Sequence, residues 1–199
     1  MISLRFRLIE TKKLLSAPVD EFSATQAVGH KDVIDLTEPV LKKLAVQVEV
    51  VEQQIEEIIT NDNHLQRLQE IITSVDGVGK VTAWQMIVTS NEFKDFSNSR
   101  KFACFSGVVP FDHSSGTSIY SRPRVSHMAN KKMKELLHMS ALSATIMKGE
   151  LNDYYTRKVK EGKNKMLVLN NIRNKIIQRV FACVKENRKY EKSYMITLV

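Results

Sequence analysis

The stretch Ile72-Thr73-Ser74-Val75-Asp76-Gly77-Val78-Gly79-Lys80 (72–80) sets two glycines between two runs of helical apolar spacing. Upstream, residues 64–73 read as one helix. Downstream, Val81 to Val88 reads as another. Ile71, Ile72, Val75, Val78 and Val81 are the apolar residues that would pack the pair together. Gly77 and Gly79 permit backbone conformations closed to other residues and let a phosphate come close. The second helix then opens with N–H groups and a positive dipole end, and Lys80 adds a counter-charge. This is the logic of a helix-hairpin-helix, a sequence-independent hold on a DNA backbone. The same Gly-x-Gly also suits a plain tight turn.

Charge points the same way. Residues 1–74 carry 8 Lys/Arg against 12 Asp/Glu, and residues 75–199 carry 22 against 10, so the net +8 of the chain arises wholly in the second part. A basic domain joined to an acidic helical element is the footprint expected of a nucleic-acid binder with a spacer or pairing element. A solvated basic surface without a ligand has the same composition. Gly (7) and Pro (4) are scarce, which disfavours an all-β fold. Cys104 and Cys183 sit in apolar settings and read as small buried hydrophobes. No metal spacing, P-loop or dinucleotide fingerprint is evident, and no uncharged run is long enough to span a bilayer.

Before the glycine turn, residues 1–15 read as a short helix ended by Pro18, and residues 17–33 as a loop. A long helix starts near Thr37-Glu38-Pro39, with Thr37 as its cap. Leu41, Leu44, Val48, Val51, Ile55 and Ile58 recur at spacings of 3 and 4, the a/d pattern of a coiled-coil seam. A dimerisation stalk and an ordinary amphipathic helix fit it equally. After the turn, residues 107–127 read as an exposed loop or short hairpin. Helices follow over about 128–147, 151–159 and 165–186. The last has Leu169, Ile172, Ile176, Val180, Phe181 and Val184 as its buried stripe, with Lys165, Arg173, Lys175, Arg179 and Lys185 around it. Within the 107–127 segment, Ser114-Ser115-Gly116-Thr117-Ser118 is followed by Arg122, Arg124, Lys131 and Lys132. Hydroxyls beside arginines are what attack on a phosphodiester requires, although Ser-rich loops are usually only loops.

These motifs, in order, resemble the C-terminal domain of the insertion-sequence 110/116/902 family of transposases. They are Ile72 to Gly79, Ser99 to Cys104, Phe105 to Pro110, Ser115-Gly116-Thr117, Arg124-Val125-Ser126 and Asn130 to Leu136. These are Piv-like enzymes that work with a guide-type bridge RNA. The resemblance implies that Ser115 is the nucleophile that joins DNA. It also implies that Gly77, Gly79, Lys80, Arg122, Arg124, Lys131 and Lys132 contact DNA. Ser114 is the second serine to test. Family members begin with a RuvC-like domain bearing four acidic metal ligands, and nothing in residues 1–64 resembles it. Magnesium is therefore expected in that other domain and no cofactor in this chain. Asp76, where the family has Pro, puts an anion beside the proposed phosphate site. His127-Met128-Ala129 replaces a commoner Lys-x-Gly.

The fold expected is mainly α. Residues 1–64 form a coiled-coil-like helical stalk. Residues 65–190 form a helix-hairpin-helix-containing domain with one irregular or short β-hairpin loop, and 191–199 form a tail. The function expected is the DNA-binding part of a transposase, inactive alone. The alternative is a regulatory module that pairs with a full-length transposase, or with its own copy, through residues 37–60. A bacterial cytoplasmic location and no membrane contact follow from the same reading.

Overall fold

The computed structural model describes the backbone of residues 1–25, 30–115 and 119–191. Their side chains are included apart from those of residues 20, 22–25, 30, 111–115 and 119–124. Two compact units result, Met1–Asn63 and His64–Val199.

The first unit is a pair of long helices, α1 (Ile2–Thr25) and α2 (His30–Thr60). They run antiparallel: Arg5, near the start of α1, holds Glu52, late in α2, with Nε–Oε1 at 2.6 Å, and Ile9 and Ser16 lie level with Val48 and Ala45. Two sequence expectations fail here. Pro18 lies inside α1, and Pro39 lies ten residues into α2. Thr37 is no cap; its hydroxyl donates to Val33 O within the helix, at 2.6 Å. An interior proline costs about 3 kcal/mol, and the mutual burial of two long helices outweighs it. Residues 26–29 of the expected loop lie outside the described residues. The α2 stripe holds through Val51 and Ile55, both buried. At its end Ile58 is 53% exposed and Ile59 takes its place, because a straight helix turns every 3.6 residues and drifts off a 3.5-residue pattern.

The second unit contains α3 (Asn63–Thr73), α4 (Lys80–Thr89), α5 (Ser99–Phe105), β1 (Phe111–Ser115), β2 (Ile119–Arg124), α6 (Lys131–Ile146), α7 (Glu150–Lys160) and α8 (Lys165–Lys185). It is mainly α, with β1 and β2 forming one antiparallel hairpin. α6 and α8 pack together at the centre. α4 lies on α6, α5 on α8, and α7 on both. Asparagine side chains start three helices. Asn98 accepts from Lys101 N, Asn130 from Met133 N, and Asn164 from Met166 N and Leu167 N. The core is built from Phe102, Met133, Leu137, Ala141, Ile172 and Ile176, each wholly buried. Each large apolar side chain among them contributes about 1.5–3 kcal/mol. Trp84 Nε1 donates to Gln69 Oε1 at 2.5 Å and ties α4 to α3. Both cysteines are free, Cys104 half-buried and Cys183 buried.

The α8 stripe forms at Leu169, Ile172, Ile176 and Val180, while Phe181 and Val184 are half-buried. Arg173 departs from the charged face expected of it. It is 5% exposed, and its Nε is buried without a partner among the described residues. Burial lowers its pKa. His138 on α6 is held below its ordinary value of 6.5, first by desolvation and then by the Arg173 charge.

The folded protein therefore binds the His138 proton less readily than the unfolded chain. This has no effect well above pH 6.5 and removes stability as the pH falls below it. Melting temperatures measured from about pH 8 to about pH 5 should fall less steeply for His138→Gln than for the parent chain. Identical slopes would refute this assignment.

Candidate nucleic-acid interface

The glycine turn is held by contacts within the fold. Ser74 Oγ donates to Ile71 O at 2.6 Å and accepts from Tyr190 N at 2.7 Å. Gly77 has φ +86, and a Cβ there would stand 2.3 Å from Ser140 O and 2.8 Å from Ala144 Cβ. Gly77 thus lets the turn sit directly on α6. It packs the fold, and it is half-buried where it also lines the cleft described below. Nearby, Thr82 Oγ1 and Ser140 Oγ form a buried hydrogen bond at 3.2 Å. Gly79 is different. It is exposed and extended, with φ −94 and ψ 170, and a Cβ there would meet nothing within 4 Å. As the N-cap of α4 it supplies no side-chain cap. Residues 73–79 with Ser143 and Met147 line a cleft of 290 Å³ that ends at Gly79, just before the first turn of α4. Lys80 follows, exposed. Asp76 is half-buried in the same turn.

The hairpin stands on a clamped stem. Gly107 has φ +67, and a Cβ there would lie 2.8 Å from Ala129 Cβ and 3.1 Å from Val125 Cγ1. Asn130 N donates to Phe105 O at 2.9 Å. Asn170 Nδ2 donates to Val108 O at 2.9 Å. Two strands of chain and α8 are thus joined where the hairpin leaves the core. The sequence reading missed Gly107 and Asn170. An Asn just ahead of an apolar helical run was the available sign for Asn130.

The ladder pairs Phe111 with Arg124, His113 with Ser121, Ser114 with Tyr120 and Ser115 with Ile119, with an irregularity between Phe111 and His113. Pro123 falls opposite that irregularity, where it has no ladder bond to donate. Ser115 ends β1, so Arg124 lies at the other end of the ladder, roughly 13 Å away at a strand's rise per residue. The backbone therefore does not bring Arg124 beside Ser115; Arg122 is nearer. The side chains of Ser115, Ser114, Arg122 and Arg124 lie outside the described residues. Lys131, exposed, and Lys132, half-buried, open α6. They lie roughly 14–20 Å along α6 from the level of Ser140 and Ala144, where the glycine turn docks. The sequence-selected residues fall at two separate places and on a hairpin, not in one pocket.

Among the described residues no three His, Cys, Asp or Glu side chains gather as a metal site. None of the described helices is long and apolar enough to cross a membrane.

Residues 69–156 match the family described as Transposase IS116/IS110/IS902. The chain is also similar to the pilin gene-inverting protein of Moraxella bovis, at 22% identity over 143 residues, 71% of this chain and 44% of that protein. It is 26% identical over 167 residues to the insertion element IS110 uncharacterized 43.6 kDa protein of Streptomyces coelicolor, 84% of this chain and 41% of that protein. It is 25% identical over 200 residues to the insertion element IS116 uncharacterized 44.8 kDa protein of Streptomyces clavuligerus, 96% of this chain and 48% of that protein. The chain spans less than half the length of these relatives.

The two glycines should separate cleanly on substitution. Gly77→Ala meets a backbone oxygen at positive φ and should cost about 3 kcal/mol or more, whereas Gly79→Ala should cost under about 1 kcal/mol. Urea denaturation of both variants checks this; equal losses would refute the assignment.

Proposed function

Residues 69–156 are a domain of the transposase IS116/IS110/IS902 family, and from that premise we propose that this chain is the DNA-holding part of an insertion-sequence transposase, with Ser115 its attacking nucleophile. The observation that carries the proposal is that the matched residues contain both the exposed, uncapped start of α4 and the whole hairpin on which Ser115 ends a strand. In the step proposed, the Ser115 hydroxyl oxygen forms a bond to phosphorus while a bond from phosphorus to a sugar oxygen breaks. The serine proton ends on the departing sugar hydroxyl. One phosphoester replaces another, so the step is reversible and a strand can be rejoined.

Arg122 and Arg124, both on the return strand, are proposed to steady the charge that develops on phosphorus and to hold flanking phosphates. The start of α4, read as half of a helix-hairpin-helix, and Lys131 with Lys132 grip the backbone at two further points. A structured guide-type RNA shares this basic surface in the same reading. The described residues do not suit a metal, so no step is drawn through one here.

A second reading is favoured by one observation. Leu36, Val46 and Val50 are exposed and fall along one side of α2, away from the buried stripe at Val51 and Ile55. That side suits pairing with another copy or with a full-length transposase. Co-purification with an intact family member should be lost in Leu36→Gln with Val50→Gln; unchanged pairing would remove this reading.

For the main proposal, duplex affinity across a salt series is decisive. Replacing Lys131 and Lys132 by Ala should weaken binding to unrelated sequences equally and reduce the salt slope by about 2, while Ser115→Ala should leave affinity within about twofold. Affinity that ignores salt would contradict it. Strand transfer by the purified chain with magnesium, abolished in Ser115→Ala, would contradict the need for a separate metal-holding domain.

A further inference from the structure

The second unit carries a cleft that neither the glycine turn nor the hairpin uses. It lies between residues 93–99, which join α4 to α5, and the C-terminal half of α8, and it has a volume of 540 Å³. Sites for small organic ligands span about 300–1,000 Å³. Phe93, Phe96 and Phe181 wall it, Asn98 and Gln178 bring carboxamides, and Lys94 and Lys185 stand at it.

The walls are held in place. Phe93 meets Phe181 edge-on at 5.0 Å, Phe96 meets Phe102 edge-on at 5.2 Å, and Phe102 lies 5.4 Å from Phe181. Phe102 is wholly buried and anchors the set to the core. Asn91, Glu92 and Phe93 all have positive φ, at 49, 56 and 65. Each such residue costs about 1–2 kcal/mol, and three in succession persist only where the surroundings hold them. Buried Ser90 does so. Its Oγ accepts from Phe93 N at 2.9 Å and donates to Met86 O at 2.7 Å. Glu92 N donates to Ile87 O at 2.8 Å, and Asp95 N to Ser90 O at 3.1 Å. The strain fixes Phe93 as one wall of an open cleft.

Charge selects the ligand. Lys94 bridges Glu92 at 2.7 Å and so gives only part of its charge. Lys185 lines the cleft and is exposed, whereas Lys175 and Arg179 of the same helix lie outside its lining and pair with Glu150. Asn98 Oδ1 already accepts from Lys101 N, whereas Gln178, exposed on α8, offers donor and acceptor together. Ring faces, a carboxamide and ammonium groups are the set that a nucleotide out of its stack needs.

We propose that this cleft takes one unpaired nucleobase of a nucleic-acid strand, stacked on Phe93, Phe96 and Phe181, with its phosphate toward Lys185 and Lys94. A paired base cannot enter it, so the cleft handles a strand that has been opened or a base that has been turned out. The proposal rests on the nucleic-acid reading above and adds a separate site to it.

Single-stranded deoxy- and ribo-oligonucleotides bearing one 5-iodouracil, irradiated with the whole chain and mapped by peptide mass spectrometry, test it. The crosslink should fall on Phe93, Phe96 or Phe181, and the two arms show whether a DNA or an RNA strand supplies the base. Phe96→Leu and Lys185→Glu should each weaken single-strand binding by about fivefold or more, and Phe96→Leu should leave duplex affinity within about twofold. If Phe96→Leu fails to fold, the exposed Lys185→Glu and the crosslink on the parent chain still decide. Crosslinks only outside the cleft, with unchanged single-strand affinity in Lys185→Glu, overturn the cleft and leave duplex binding standing. No binding to any oligonucleotide overturns both.

Discussion

The second unit depends on one close approach, the backbone of Gly77 against Ser140 and Ala144 of α6. No side chain fits there. Because the turn can sit on α6, α4 follows it at a fixed angle, Thr82 reaches Ser140, and the uncapped start of α4 is left facing out. α6 is also where the hairpin's return strand arrives, through Ala129 packed on Gly107, and it lies along α8 through the core. Each element proposed to touch DNA is thus referenced to a single helix.

That arrangement spreads the contacts out. The start of α4 and the start of α6 stand too far apart for one phosphate, and the hairpin projects from a stem that Asn130 and Asn170 fix by hydrogen bonds. A spread grip with a fixed hairpin suits a duplex, whose charge is itself distributed along two strands. It also limits what one copy can do: Arg124 stands at the foot of the ladder and Ser115 at its far end, so the backbone does not set Arg124 beside the serine proposed to attack.

Much of this was legible in the sequence. The helices at 63–73, 131–146, 150–160 and 165–185 follow from apolar period and from Asn and Gly punctuation, and the buried positions of the last one were found from Leu169 to Val180. Where the reading failed, tertiary contact overrode a local rule. Pro18 and Pro39 mark boundaries locally, but the α1–α2 packing carries both helices through them. Gly77 and Gly79 look equivalent on paper, yet only the neighbouring helix reveals that the first is a packing glycine and the second an open one. Arg173 reads as surface charge and is buried. Strand register, which separates Arg124 from Ser115, has no signal in a segment this polar.

The central claim is that the hairpin serine, held on this scaffold, attacks a DNA phosphate. A duplex with one bridging phosphorothiolate tests it most directly, since its thiolate leaves without needing a proton and the covalent product persists. With an intact family member present to supply the metal-holding domain, peptide mass spectrometry of the adduct on this chain should place the DNA phosphate on Ser115. An adduct on Ser114 or on any other residue would contradict it.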